Sequence, residues 1–113
     1  MDEQKQNTLS RQIRQGDLLF IRQEAAPDGV RLTPRDTTVI LNGETTGHAH
    51  RLVAGAVLDS ADGKTWLEIP ADVAGGVTQV VHEEHNAVTL TPGVWLVVRQ
   101  REYSPEEIRL VED

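Results

Sequence analysis

All four histidines of the chain fall into two short clusters. In the first cluster a single residue, Ala49, separates His48 from His50. Residues i and i+2 of a β-strand point to the same face, so these two imidazoles can approach one metal ion at bonds of about 2.0–2.1 Å. Ala49 is small and falls on the opposite face. The first pair therefore predicts a metal-binding face on a strand.

The second cluster reads His82-Glu83-Glu84-His85. Residues three apart point to opposite faces of an unbroken strand. The strand must therefore end or bulge near Glu83 and Glu84 if both imidazoles are to converge. Glu84 shares the parity of His82, which makes it the preferred carboxylate ligand or general base, with Glu83 as the second choice.

Together the clusters predict one site for a divalent ion, with His48, His50, His82 and His85 as ligands, in a small β-barrel protein that we expect to form a homodimer. Imidazole with carboxylate suits Zn, and also Fe, Mn, Ni or Cu. If the protein leaves a coordination position open, the ion can act as a Lewis acid in hydrolysis. Glu84 would then be the base, and the Arg51 guanidinium would steer a small anionic substrate.

Two other functions fit the same residues. Histidines facing each other across a cleft can act as acid and base without a metal, in cleavage of RNA or a cyclic nucleotide. Arg51, Arg99 and Arg101 would then supply positive charge for the phosphate. A non-enzymatic interaction module is the third hypothesis, in which the long final strand, Trp66 and Trp95 form a homodimer.

The elements that must position these residues are short strands separated by Gly, Asn, Asp and Pro turns, such as Asn42-Gly43 and Asp62-Gly63. We expect an all-β, mainly antiparallel small barrel or sandwich with a short C-terminal helix beginning at Ser104-Pro105. The predicted strands are 17–23, 37–41, 47–53, 56–59, 64–69, 77–82, 87–90 and 94–103.

One domain, residues 16–113, accounts for all of these strands. Residues 1–15 form a polar leader, which we expect to be disordered or to serve as an arm for a partner. Leu9 and Ile13 within it have the spacing of a helical turn.

Composition narrows the function further. The chain has 113 residues, no cysteine and a formal net charge of −7. Disulfide and thiolate chemistry are therefore excluded, and general nucleic-acid binding is disfavoured by repulsion from phosphates. The sequence shows neither a signal-peptide stretch nor an apolar run long enough to span a membrane. We expect a soluble cytoplasmic protein.

Two resemblances accompany these motifs. His48-Ala49-His50, followed by a later histidine and Pro92-Gly93, resembles the cupin family over roughly residues 43–98. That resemblance implies a β-barrel in which both histidines and either His82 or His85 bind a metal. The same histidine motifs, with 92–95 and 100–103, also resemble a group of small uncharacterised bacterial proteins, which implies a bacterial, cytosolic setting.

Overall fold

A computed structural model of the chain describes residues 11–43 and 47–100. Most of the predicted leader, the tip of the turn before His48, residues 101–103 of the predicted final strand and the predicted C-terminal helix lie outside the described residues. Within them the chain forms two antiparallel sheets that make a sandwich, which confirms the predicted all-β fold. None of the described segments is a helix long and apolar enough to cross a membrane.

The described part of the chain contains ten strands, which are distributed over the two sheets. The six-stranded sheet has the order β1, β2, β10, β7, β6, β3, and the four-stranded sheet has the order β4, β5, β8, β9. The bounds in the larger sheet are β1 Gln12–Gln15, β2 Leu18–Gln23, β3 Leu32–Pro34, β6 Ala56–Ser60, β7 Thr65–Ile69 and β10 Gly93–Arg99. Those in the smaller sheet are β4 Val39–Asn42, β5 Ala49–Leu52, β8 Thr78–Val81 and β9 Val88–Leu90.

The core lies between the sheets and is built from the apolar residues of their facing sides. Phe20, Leu67, Val80, Leu90 and Trp95 are fully buried there. Trp95 thus belongs to the core of the chain. Trp66, which the homodimer hypothesis places in a contact between two copies, is also buried, with 6% exposed.

Three features differ from the sequence-based expectations. The larger sheet begins at Gln12, four residues before the predicted domain boundary at Gly16, and Ile13 lies in β1 rather than in a helical turn. β3 was not predicted, because three residues ending in a proline carry little alternation. β10 is a central strand with β2 on one side and β7 on the other, so its described part has no free edge for a dimer.

Arg35 forms hydrogen bonds to both sheets. Its Nε and Nη2 atoms donate to the Oδ2 and Oδ1 atoms of Asp59 on β6, each over 2.8 Å. Its Nη1 atom donates to the carbonyl oxygens of Val39 and Ile40 on β4, each over 2.9 Å. One planar guanidinium therefore links the larger sheet to the smaller one.

We expect Asp59→Asn to lower the free energy of unfolding at pH 7 by about 1 kcal/mol, since Asp59 is half exposed and screened. The Arg35 hydrogen bonds hold the pKa of Asp59 below its usual value of 3.8. A lowered carboxyl pKa adds stability that is present above the usual value and is lost as the pH falls below it. Urea unfolding should therefore show a difference between wild type and Asp59→Asn at pH 7 that shrinks toward pH 3.

The exposed turn residue Asp28, changed to Asn, is the matched control for that prediction. An equal loss for Asp59→Asn at both pH values would mean that the charge of Asp59 is not what stabilises the fold.

Candidate histidine site

Polar side chains lie at one end of the larger sheet, on the face that packs against the smaller sheet. Strand register places Gln15 of β1 opposite Leu18 of β2, and Leu18 opposite Arg99 of β10. Gly16 and Asp17 form the tight turn between β1 and β2, beside these side chains. One end of an otherwise apolar face therefore presents an amide, a carboxylate and a guanidinium to the opposite sheet.

The smaller sheet brings the two histidine clusters to the same place. Arg51 on β5 pairs with Val81, the last residue of β8, so His50 and His82 are neighbours across the strands. Because β8 ends at Val81, the chain bends after His82 and returns His85 to the same side. This is the strand ending that convergence of the second pair requires.

The four imidazoles pack against one another. The ring centroids of His50 and His82 are 4.4 Å apart, and those of His82 and His85 are 4.6 Å apart. The His50–His85 separation is 6.2 Å, and the His48–His82 separation is 5.8 Å. All four line a cavity of about 430 Å³, together with Asp17, Glu84 and Arg99. We call this the histidine cavity.

Gln15 orients the most buried of these rings. Its Nε2 donates to the carbonyl oxygens of Val80 and Asn86, both over 2.9 Å, so its Oε1 must be the acceptor that faces His50. The His50 Nδ1 atom lies 2.8 Å from that oxygen and must therefore carry the proton. The Nε2 lone pair of neutral His50 then faces the cavity, 3.6 Å from Asp17 Oδ1.

The environment keeps His50 neutral. Burial, and then the neighbouring His82, lower its pKa below the usual 6.5, and Asp17 offsets this only in part. A side chain that is 6% exposed loses the hydration that would stabilise an imidazolium. His50 is therefore an electron-pair donor at neutral pH.

His82 and His48 have different contacts. The Glu84 backbone N–H donates to His82 Nδ1 over 3.0 Å, which places the proton of neutral His82 on Nε2. The Glu84 carboxylate lies 3.2 Å from His48 Nδ1. Glu84, predicted as ligand or base, thus lies in the cavity and holds both histidines from one position.

Glu83 and Arg51 form a separate pair. Glu83 accepts from the Ala49 backbone N–H over 2.9 Å and from Arg51 Nη1 over 3.0 Å. These two contacts lower the pKa of Glu83 to about 2. A carboxylate this acidic is a weak base, so Glu83 serves to fasten the first cluster to the second. Arg51, which we expected to steer an anionic substrate, does not line the histidine cavity. Arg99 is the cationic residue in the described lining.

Sequence reasoning missed Gln15, Gly16 and Asp17 as site residues: Gln15 was assigned to the leader, and Gly16 and Asp17 to the start of the domain and its first strand. The Gly16-Asp17 pair indicates a turn, but a turn says nothing of the contact from Gln15 to Val80, 65 positions away. Within residues 11–43 and 47–100, no group of three or more histidine, aspartate or glutamate side chains is placed as a metal-ligand set.

Gly16 leaves room for two of the rings. A Cβ atom there would lie 2.7 Å from His85 Nε2 and 3.4 Å from His50 Cε1, and its φ of +61° favours glycine. We expect Gly16→Ala to cost about 1 kcal/mol from the backbone. It should also displace the His85 ring, which NMR shifts of the imidazole protons would report.

Gly29→Ala is the matched control, because Gly29 has a φ of +71° and no atom within 4 Å of the added Cβ. Equal losses of stability and unchanged His85 shifts in both variants would show that the ring does not need this space.

The comparisons with known proteins match one family model. It is described as Domain of unknown function (DUF8820) and covers residues 14–100. No curated protein and no solved structure matches the chain. The match begins within β1 and ends directly after β10, so it spans both sheets and every residue that lines the histidine cavity.

Proposed function

The chain belongs to the family described as Domain of unknown function (DUF8820), and we propose from the cavity that it binds a divalent transition-metal ion. The observation that carries the proposal is the Gln15–His50 hydrogen bond. A metal-bound histidine typically donates its other ring N–H to a fixed acceptor, which sets the tautomer and the ring orientation. Gln15 supplies such an acceptor, and the free Nε2 of His50 faces the other candidate ligands.

The spacing of the rings supports the same proposal. With bonds of about 2.0–2.1 Å, imidazoles on one ion have centroids roughly 4.5–5.5 Å apart. The separations among His50, His82 and His85 lie near this range, from 4.4 to 6.2 Å. The carboxylates of Asp17 and Glu84 add negative charge that favours a cation.

The ligand set we propose is His50 with His85 and Asp17 at the centre, joined by His82 or His48. His82 joins only if its ring turns away from the Glu84 N–H, because that hydrogen bond leaves the proton on Nε2. An ion with one exchangeable position would act as a Lewis acid, which supports the hydrolytic hypothesis. The form of this proposal in which His48 is the additional ligand is the cupin-like arrangement, where His48 and His50 both bind the ion.

Zinc titration of metal-stripped protein by calorimetry tests the proposal. We expect one zinc per chain, a rise in melting temperature that chelator reverses, and loss of both in His48→Ala/His50→Ala. The control is Val53→Ala/Val77→Ala, two exposed residues outside the cavity lining, and this variant should still bind zinc. Wild type that takes up no zinc would contradict the proposal.

Metal-free acid–base catalysis is the second candidate, and a specific observation favours it. The hydrogen bonds leave His50 Nε2 unprotonated and place the proton of neutral His82 on Nε2, so adjacent rings present a base and a hydrogen-bond donor for a phosphate oxygen. Arg99 is the cation available to a phosphate in the same cavity. Cleavage of RNA or a cyclic nucleotide that persists in EDTA, with a bell-shaped pH profile, would support it over the metal proposal.

A homodimer is a separate proposal. Since Trp66 and Trp95 are buried within the chain and the described part of β10 is central, neither tryptophan nor that strand offers the contact first expected. The edge strands β1, β3, β4 and β9 are the alternatives. Light scattering of the purified protein would measure the mass.

A further inference from the structure

A second cavity of about 430 Å³ adjoins the histidine cavity. The two share Leu41 and Arg99 as a common wall. Most of the residues that line the second cavity are aliphatic: Leu18 and Ile40 from the core, Leu41, and the segment 96–98. We call it the apolar cavity. Its volume suits a small organic molecule.

The charged residues that line the apolar cavity are cationic, and one of them lies at the wall shared with the histidine cavity. The apolar cavity's only charged lining residues among those described are Arg99 at the common wall and Lys64, and both are cationic. This is notable in a chain whose formal net charge is −7. A guanidinium beside an apolar surface binds a carboxylate well, since its planar N–H groups match the two oxygens.

We propose that the apolar cavity binds a small organic acid with an aliphatic body, whose carboxylate lies against Arg99 at the wall of the histidine cavity. The body would cover Leu41, Leu96 and Val97, which are only partly buried in the chain, so their contact with the ligand removes apolar surface from water and favours binding. Asp17 lies on the other side of this wall, with Oδ2 3.6 Å from Arg99 Nε, and orients the guanidinium. The inference deepens the proposed function by naming the ligand class that would meet a metal ion there.

Octanoate is the probe, and its binding is followed by ¹H–¹⁵N NMR of the full chain. We expect shifts at residues 96–98, Leu41 and the Arg99 side chain. Octylamine has the same body with the opposite charge, and acetate has the same head without the body. Both should bind at least about tenfold more weakly, because each lacks one of the two contacts.

Variants of Arg99 test the head-group contact. Arg99→Met keeps most of the aliphatic stem and should weaken octanoate binding about tenfold or more, while Arg99→Lys should retain part of it. Lys64→Met, on the exposed turn, should have a smaller effect. Equal affinity for octanoate and octylamine, or no change in Arg99→Met, would overturn the inference.

Zinc titration separates this inference from the proposed function. If octanoate binds as expected and zinc does not, the proposed metal function fails and the organic-acid cavity stands. If zinc binds and octanoate does not, the organic-acid inference is overturned alone. Tighter octanoate binding to zinc-loaded protein would support both, since it requires that the two ligands meet at the common wall.

Discussion

His50→Ala should weaken zinc binding by at least about a hundredfold, a larger loss than any other single histidine change in the cavity. Losing even an outer-shell hydrogen bond commonly costs 10–100-fold in metal affinity, so loss of a ligand should exceed that. His50 is 6% exposed, and it is the ring whose free Nε2 is set by a neighbouring amide. Competition titration with a chelator of known affinity would measure the change.

His48→Ala is the matched control for His50→Ala. His48 is 29% exposed and its Nδ1 faces the Glu84 carboxylate, so its removal should cost less than about tenfold if it lies at the edge of the ligand set. Melting curves of the stripped proteins would show whether either change also affects folding. Equal losses in both variants would contradict the central role of His50.

The strands that were predicted correctly are those whose own residues show an apolar pattern bounded by turn residues. Alternating or compact apolar residues flanked by Gly, Asn and Asp turns located β2 and the β6–β7 hairpin, whose register runs from Ala56–Glu68 to Asp59–Thr65. Convergence of His82 with His85 was also foreseeable, because the polar pair Glu83-Glu84 ends a strand.

Contacts between the sheets were not foreseeable in the same way. β1 reads as polar because only Ile13 is apolar, and the burial of Gln15 depends on Val80 and Asn86, far along the chain. Strand parity favoured Glu84 over Glu83 as the glutamate of the site, and Glu84 is the one that faces His48. The pairing of Glu83 with Arg51 was not predicted, because it depends on the bend after β8, which one sequence cannot fix.

Gln15→Leu should release the His50 tautomer and weaken zinc binding about 10–100-fold. Leucine has a similar volume but neither accepts from Nδ1–H nor donates to the Val80 and Asn86 carbonyls. These groups are buried, so we also expect about 2 kcal/mol of lost stability. Long-range ¹H–¹⁵N NMR of the imidazoles reports the tautomer directly, without any metal.

Gln15→Glu distinguishes an effect on the tautomer of His50 from an effect on the stability of the fold. A carboxylate keeps an acceptor for His50 Nδ1–H but cannot donate to both carbonyls, so the variant should be destabilised and yet retain the Nδ1-protonated His50. Gln15→Leu should be destabilised as well and should also lose the Nδ1-protonated tautomer. If His50 stays protonated at Nδ1 in Gln15→Leu, the amide does not set the tautomer, and the observation that carries the metal proposal is removed. If Gln15→Glu keeps the Nδ1-protonated His50 and Gln15→Leu does not, then residue 15 of β1 fixes the tautomer of a histidine on the opposite sheet, and so directs its Nε2 lone pair toward an ion.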